Sequence, residues 1–303
     1  MRTSRFMPLA ALALLLPALA ATPVFDGVPN AENQLAAGNG RWFVSGDGAV
    51  YEGRYDGRGY RKRALAARLR DGSPHACTFL GLAERRGRLF AVCSDNTLDP
   101  FAAKRLFSLD LADPAAELRE IARPAGLALP NGLAVDPDGH LLLADSGAPL
   151  LPGRLWRLTL DAAGAVTGQA ELHAFPLCKP NGLRVDGDRL YVSLNPLSYV
   201  GVSQLKRYRL TAGGLADGST LYSSWGFIDD FALTTDGVVV AEFLGGRVSH
   251  VSEGGQLLKQ AGFAQPTSVR VSAGGDFPAG AITVTERGNG RLLLDAGFGA
   301  WPR

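Results

Sequence analysis

The chain has 303 residues, 46% hydrophobic and 20% charged, which is enough apolar material for a buried core and excludes disorder as its main state. Glycine fills 38 positions, about 12.5% against a usual ~7%, without a Gly-X-Y period, so collagen-like and linker sequence is excluded and turn-rich all-β structure is favoured. A formal net charge of +2, with no basic cluster longer than Arg61-Lys62-Arg63, excludes an electrostatic case for nucleic acid or an anionic membrane as partner.

Residues 1–20 read as a secretory signal peptide. Arg2 and Arg5 supply the basic start, an apolar run broken by Pro8 and Pro17 follows, and Ala18-Leu19-Ala20 offers a small-residue cleavage site. Cleavage removes two arginines and no acids, which leaves residues 21–303 formally neutral. A periplasmic or secreted protein is expected, with no membrane attachment after cleavage. Cys77, Cys93 and Cys178 then allow at most one intramolecular disulfide, and the absence of a C-x-x-C spacing argues against a thiolate zinc site.

Beyond the signal, a ten-residue frame recurs along the chain. Its first copy is Ala31 to Gly40, followed by the strand Arg41-Trp-Phe-Val-Ser45. A longer second copy starts at Pro74-His75-Ala76-Cys77 and turns at Arg86-Gly87 into Arg88 to Cys93. The third and fourth are the clearest, Pro130-Asn-Gly-Leu-Ala-Val-Asp-Pro-Asp-Gly139 and Pro180-Asn-Gly-Leu-Arg-Val-Asp-Gly-Asp188. Ile228 to Gly237 and Pro266 to Gly275 complete the series. Inside the frame, apolar residues alternate with period two, and the Asp-Gly or Gly-Gly end predicts a hairpin turn into a second strand. Outer strands are visible at Arg154 to Leu160, Gln204 to Leu210 and Gly246 to Val251, and Arg63 to Arg70 is the one helix-like stretch.

The second place of the frame falls at 32, 75, 131, 181, 229 and 267, in steps of 38 to 56 residues. That period is the length of a four-stranded blade, so the fold class predicted is all-β, a six-bladed β-propeller over 21–303. Equivalent positions at the start of each first strand form a ring at one mouth of the central channel. The ring reads Glu32, His75, Asn131, Asn181, Asp229 and Thr267. Two carboxylates and two carboxamides with no soft ligand suit a hard cation, Ca2+ above all in an exported protein, with Mg2+, Mn2+ or Zn2+ as alternatives.

The Pro-Asn-Gly repeats, the Asp229 copy running on to Val238-Val-Val-Ala-Glu-Phe-Leu-Gly-Gly-Arg-Val248, and the early Glu32 resemble the senescence-marker-protein, gluconolactonase and luciferin-regenerating-enzyme-like family, with paraoxonase-type lactonases as relatives. The resemblance implies a metal-dependent hydrolase of a small-molecule lactone or ester. It implies Glu32, Asn181 and Asp229 as metal ligands, with Asn131 either a fourth ligand or a contact to substrate and water. Asp229, or Asp230 beside it, is the implied general base, and His75 is a candidate to line the pocket. Second strands ending at the same mouth make Asp145, Asn195, Glu242 and Glu286 candidates for contacting substrate. Two departures stand out: the partner of a paraoxonase-type histidine pair falls at Ser94, and Leu129 replaces the arginine used by sugar-lactone members. A metal-independent strictosidine-synthase-like propeller and a non-catalytic binding propeller with a structural ion share the architecture. A monomer is expected, because a closed propeller leaves few strand edges exposed.

Overall fold

The computed structural model describes residues 21–302 apart from 150 and 199, and the predicted signal peptide lies outside the described residues. Among the described residues every regular element is a strand. They form six sheets, five of four strands and one of six. The inner strands are Gln34–Gly38, Thr78–Arg85, Pro130–Val135, Cys178–Asp186, Ile228–Thr234 and Pro266–Val271. Each packs beside the next and the sixth beside the first, so the blades close into the predicted six-bladed ring. Closure is made by the first described strand, Thr22–Phe25, which pairs with Arg291–Asp295 as the outer strand of blade 6.

The second strands show why the sequence folds this way. Leu141–Asp145 is apolar on both faces because its blade has a neighbour on each side. Leu141 and Leu143 enter the core shared with blade 2, whereas Leu142 and Ala144 enter the core shared with blade 4. Blade 5 repeats the pattern: Val238 and Val240 face blade 4, and Val239 and Ala241 face blade 6. The hydrophobic core is thus a set of wedges between blades. The predicted turn at Arg86-Gly87 has positive φ at both residues, +50° and +76°, as a tight two-residue hairpin requires.

Two sequence readings are corrected. The stretch Arg63 to Arg70 is extended, because it ends the outer strand of blade 1, Tyr60–Ala64, and then joins the sheet of blade 2 as Ala67–Arg68. In blade 2 the frame was placed too early. Pro74–His75 is a short strand at the outer edge of the six-stranded sheet, and the inner strand starts at Thr78. Asn131-Gly132 and Asn181-Gly182 lie within the inner strands, where pairing slips between Pro130 and Leu133 and between Pro180 and Leu183. Such an irregularity re-aims a side chain, here toward the channel.

Glycine follows the second place for a steric reason. A Cβ on Gly132 would stand 2.2 Å from the carbonyl oxygen of Asn181, and one on Gly81 would stand 2.0 Å from that of Asn131. Gly132→Ala is therefore expected to lower stability by about 1–3 kcal/mol, whereas Gly59→Ala, which faces open space, changes it by less than about 0.5 kcal/mol. Denaturant unfolding of both variants checks this; equal stabilities would show that the inner strands can spread without cost.

Candidate metal and substrate site

The register places the ring. Phe79 opposes Cys93 and Leu82 opposes Ala91 across the slip in blade 2, as Pro130 opposes Asp145 and Leu133 opposes Leu143 in blade 3. Leu80, not His75, is therefore the blade 2 counterpart of Asn131. Glu32, Leu80, Asn131, Asn181 and Asp229 all line one cavity of about 500 Å3 at the channel mouth. Thr267, from blade 6, turns away and donates to the carbonyl of Ala31 at 2.9 Å.

Hydroxyl groups fix this collar from blade to blade. Ser45 Oγ donates to Leu80 O at 2.5 Å, Ser146 Oγ to Pro180 O at 2.7 Å, Ser193 Oγ to Asp229 O at 3.2 Å, and Thr285 Oγ1 to Glu32 O at 3.1 Å. The ring side chains therefore project from a backbone whose carbonyls are already tied.

Asn181 Nδ2 donates to Asp229 Oδ1, which leaves Asn181 Oδ1 and Asp229 Oδ2 as their remaining donor atoms. Glu32 Oε2 stands 3.6 Å from Arg287 Nη1. Burial is the largest influence on Glu32 and lifts its carboxyl to about 7; Arg287 pulls against this, while Asp230 and Asp47 add to it. Asp229 is held well above the ordinary carboxylate range, first by burial and then by the charges of Glu32 and Asp230. Two buried acids repel each other across a cavity, with one arginine in partial compensation. An all-oxygen donor set in that electrostatic state fits a hard divalent cation.

The cavity has apolar walls above this floor: Leu80, Leu98, Leu129, Phe227, Phe243 and Leu244. Leu98 and Leu244 are exposed at its mouth. Asp47, held by Asn30 and by Thr78 Oγ1 at 2.8 Å, sits on its edge, with Lys179 and Arg287 as the lining cations.

Several predicted residues lie elsewhere. His75 Nε2 donates to Asp95 Oδ1 at 2.8 Å and the ring stacks on Phe107, outside the cavity, because the extra outer strands carry it away from the axis. Asp230 faces the other way from Asp229, as neighbours in a strand do, and takes Arg184 Nη2 at 2.7 Å and Ser268 Oγ at 2.6 Å. Asp145, Asn195, Glu242 and Glu286 are buried behind the wall and do not line the cavity. Asp145 accepts from the backbone of Ala128 and Leu129, Glu286 from that of Ala264, and Glu242 from Ser249 and Arg247, while Asn195 donates to Ile228 O. Asp145, Asn195 and Glu286 thereby hold the entries to inner strands and so position the ring, whereas Glu242 ties the second and third strands of its own blade. Cys77 and Cys93 form the disulfide, and Cys178 is free.

No family model and no curated protein matches the chain. Solved structures do. A gluconolactonase from Xanthomonas campestris is 20% identical, with 92% of this chain and 98% of that one covered and a TM-score of 0.54. A protein provisionally described as a gluconolactonase is 17% identical over 95% of this chain and 96% of that one, with a TM-score of 0.63. A glucose dehydrogenase is 15% identical over 92% and 99%, with a TM-score of 0.65. The likeness is one of fold. Because hydrolases and dehydrogenases both share it, the chemistry has to be argued from the cavity.

Arg287, Lys179, Asp47 and Phe227 were not legible as site residues, since they lie outside the second place of the frame. For Arg287 the available signal was its position directly after Glu286, at the end of the blade 6 second strand.

The raised carboxyls have a consequence for the metal-free protein. Folded Glu32 and Asp229 both keep protons that the unfolded chain releases; for Glu32 the stability so contributed is full below about pH 4.5 and lost as pH rises through about 7. With chelator, the wild type should lose stability between these limits, on the order of 3 kcal/mol from Glu32 alone, relative to a Glu32→Gln/Asp229→Asn double variant. Adding Ca2+ at pH 7 should restore it in the wild type alone. Parallel pH curves for the two proteins would show that these acids are not destabilised in the fold.

Proposed function

We propose that the protein is an exported, Ca2+-dependent hydrolase of a lactone or ester. The observation that carries this reading is the convergence of Glu32, Asn131, Asn181 and Asp229 from four blades on one cavity with two buried, electrostatically unsatisfied carboxylates. Glu32, Asn181 and Asp229 would hold the ion, with Asn131 as a fourth donor or a substrate contact. When bound, the cation supplies Lewis-acid polarisation of the substrate carbonyl.

The remaining roles belong to the chain. Asp229 takes the proton of the attacking water as general base. Water adds to the acyl carbon, the acyl–oxygen bond breaks, and the leaving alkoxide recovers a proton to give a hydroxy acid from a lactone. Asp230 is the weaker candidate for base because Arg184 and Ser268 already occupy its Oδ2. Lys179 and Arg287 place positive charge where the carboxylate product forms. Leu129 and the other apolar walls support a substrate with an apolar body over a polyhydroxylated sugar lactone.

A panel of lactones and aryl esters, assayed with Ca2+ and with chelator, tests the proposal. Hydrolysis should require the metal, and Asp229→Ala should reduce kcat by about 10^2–10^4 with the fold retained by circular dichroism. Chelator-insensitive turnover, or undiminished turnover by Asp229→Ala, would contradict it. Metal binding without hydrolysis of any panel member would favour a binding propeller instead.

A further inference from the structure

At the opposite end of the channel the inner strands finish around a second cavity of about 580 Å3. The repeat frame places residues here as well. Its fifth place is Ala134 in blade 3, Arg184 in blade 4, Ala232 in blade 5 and Arg270 in blade 6. Arg184, Ala232 and Arg270 all line the cavity, so the small residue of blade 5 leaves room between two guanidiniums.

Their bonding leaves positive charge over. Arg184 spends Nη1 on Leu183 O at 2.7 Å and Nη2 on Asp230 Oδ2 at 2.7 Å. Arg270 spends Nε on Gln34 O at 2.7 Å, and among the described residues neither of its Nη groups has an acceptor. The cavity's other charged side chain, Asp276, is turned to the backbone of Gly40 at 2.9 Å and to Trp42 Nε1 at 3.3 Å. Burial, then the charge of Arg184, brings Arg270 down to about 10, and Asp230 offsets this only in part. Asp230, shared by Ser268, pairs with Arg184, and among the described residues Arg270 has no ion-pair partner of its own.

We propose that this second cavity binds a small oxyanion, a phosphate or a carboxylate, held by the free Nη edge of Arg270 and by Arg184. A planar guanidinium edge presents two parallel N–H donors that match two oxygens of either group. The bound anion supplies the missing negative charge and links blades 4 and 6 across blade 5.

Calorimetric titration of the intact protein with inorganic phosphate, and separately with succinate, at fixed ionic strength tests the site, with chloride as the reference. Saturable binding at one anion per chain is expected, with phosphate and succinate compared to identify the preferred group. Arg270→Met, which keeps the apolar stem and removes like-charge repulsion, should fold with an undiminished Tm in chloride and bind the anion at least 10-fold more weakly. Arg270→Lys, which keeps the charge and loses the fork, should fall between the two. Neither anion binding better than chloride, or Arg270→Met retaining wild-type affinity, would overturn the proposal.

Discussion

The closeness of the six inner strands at the channel axis is the constraint on which the structure depends. Blades 3 and 4 come near enough that the backbone carbonyl of Asn181 occupies the space of a Cβ on Gly132, and blades 2 and 3 do the same at Gly81 and Asn131. Side chains leaving those strands at the same level can therefore meet. Without that approach, Glu32 and Asp229 would be two separate surface acids, titrating in the ordinary range. With it, they are desolvated together and become a demand for positive charge that Arg287 answers in part. The apolar wedges between blades supply the energy that holds this unfavourable arrangement in place.

The polar residues at the ends of the second strands belong to the same design. Asp145, Asn195, Glu242 and Glu286 line no substrate cavity; Asp145, Asn195 and Glu286 fix the chain where it enters an inner strand, and Glu242 ties the third strand of its own blade. Together with the inter-blade hydroxyls of Ser45, Ser146, Ser193 and Thr285, they make the collar rigid before any ligand arrives. Such preorganisation is where an oxygen-ligand site gains selectivity, because the donors cannot relax around an ion of the wrong size.

Much of this was legible in the sequence, because a propeller repeats its geometry. The spacing of Glu32, Asn131, Asn181 and Asp229 located four ring positions, and the Asp-Gly and Arg86-Gly87 turns located the hairpins. The reading failed where the repeat was interrupted. In blade 2 two short extra strands precede the inner strand, and its ring position is Leu80, an apolar residue that carries no polar signal; the nearby Pro74–His75 looked like the frame and took its place. The rim residues were placed at the right height but not on the right side of the wall, since a strand end does not reveal which backbone groups need a partner.

Asp229 and Asp230 show how one strand serves both ends of the channel. The slip in pairing between Ile228 and Asp230 sends the first to the acidic cavity and leaves the second with Arg184 and Ser268, on the side of the arginine pair. The channel therefore runs from a pair of buried carboxylates at one mouth to a pair of arginines at the other. The claim at the centre of this account, that the four ring residues form one cation site, is tested most directly by anomalous diffraction from crystals in which Tb3+ replaces Ca2+. One dominant peak within about 2.3–2.6 Å of oxygens from Glu32, Asn181 and Asp229 is predicted. A cavity without a peak, or an ion held by other residues while Glu32 stays with Arg287 and Asp229 with Asn181, would contradict it.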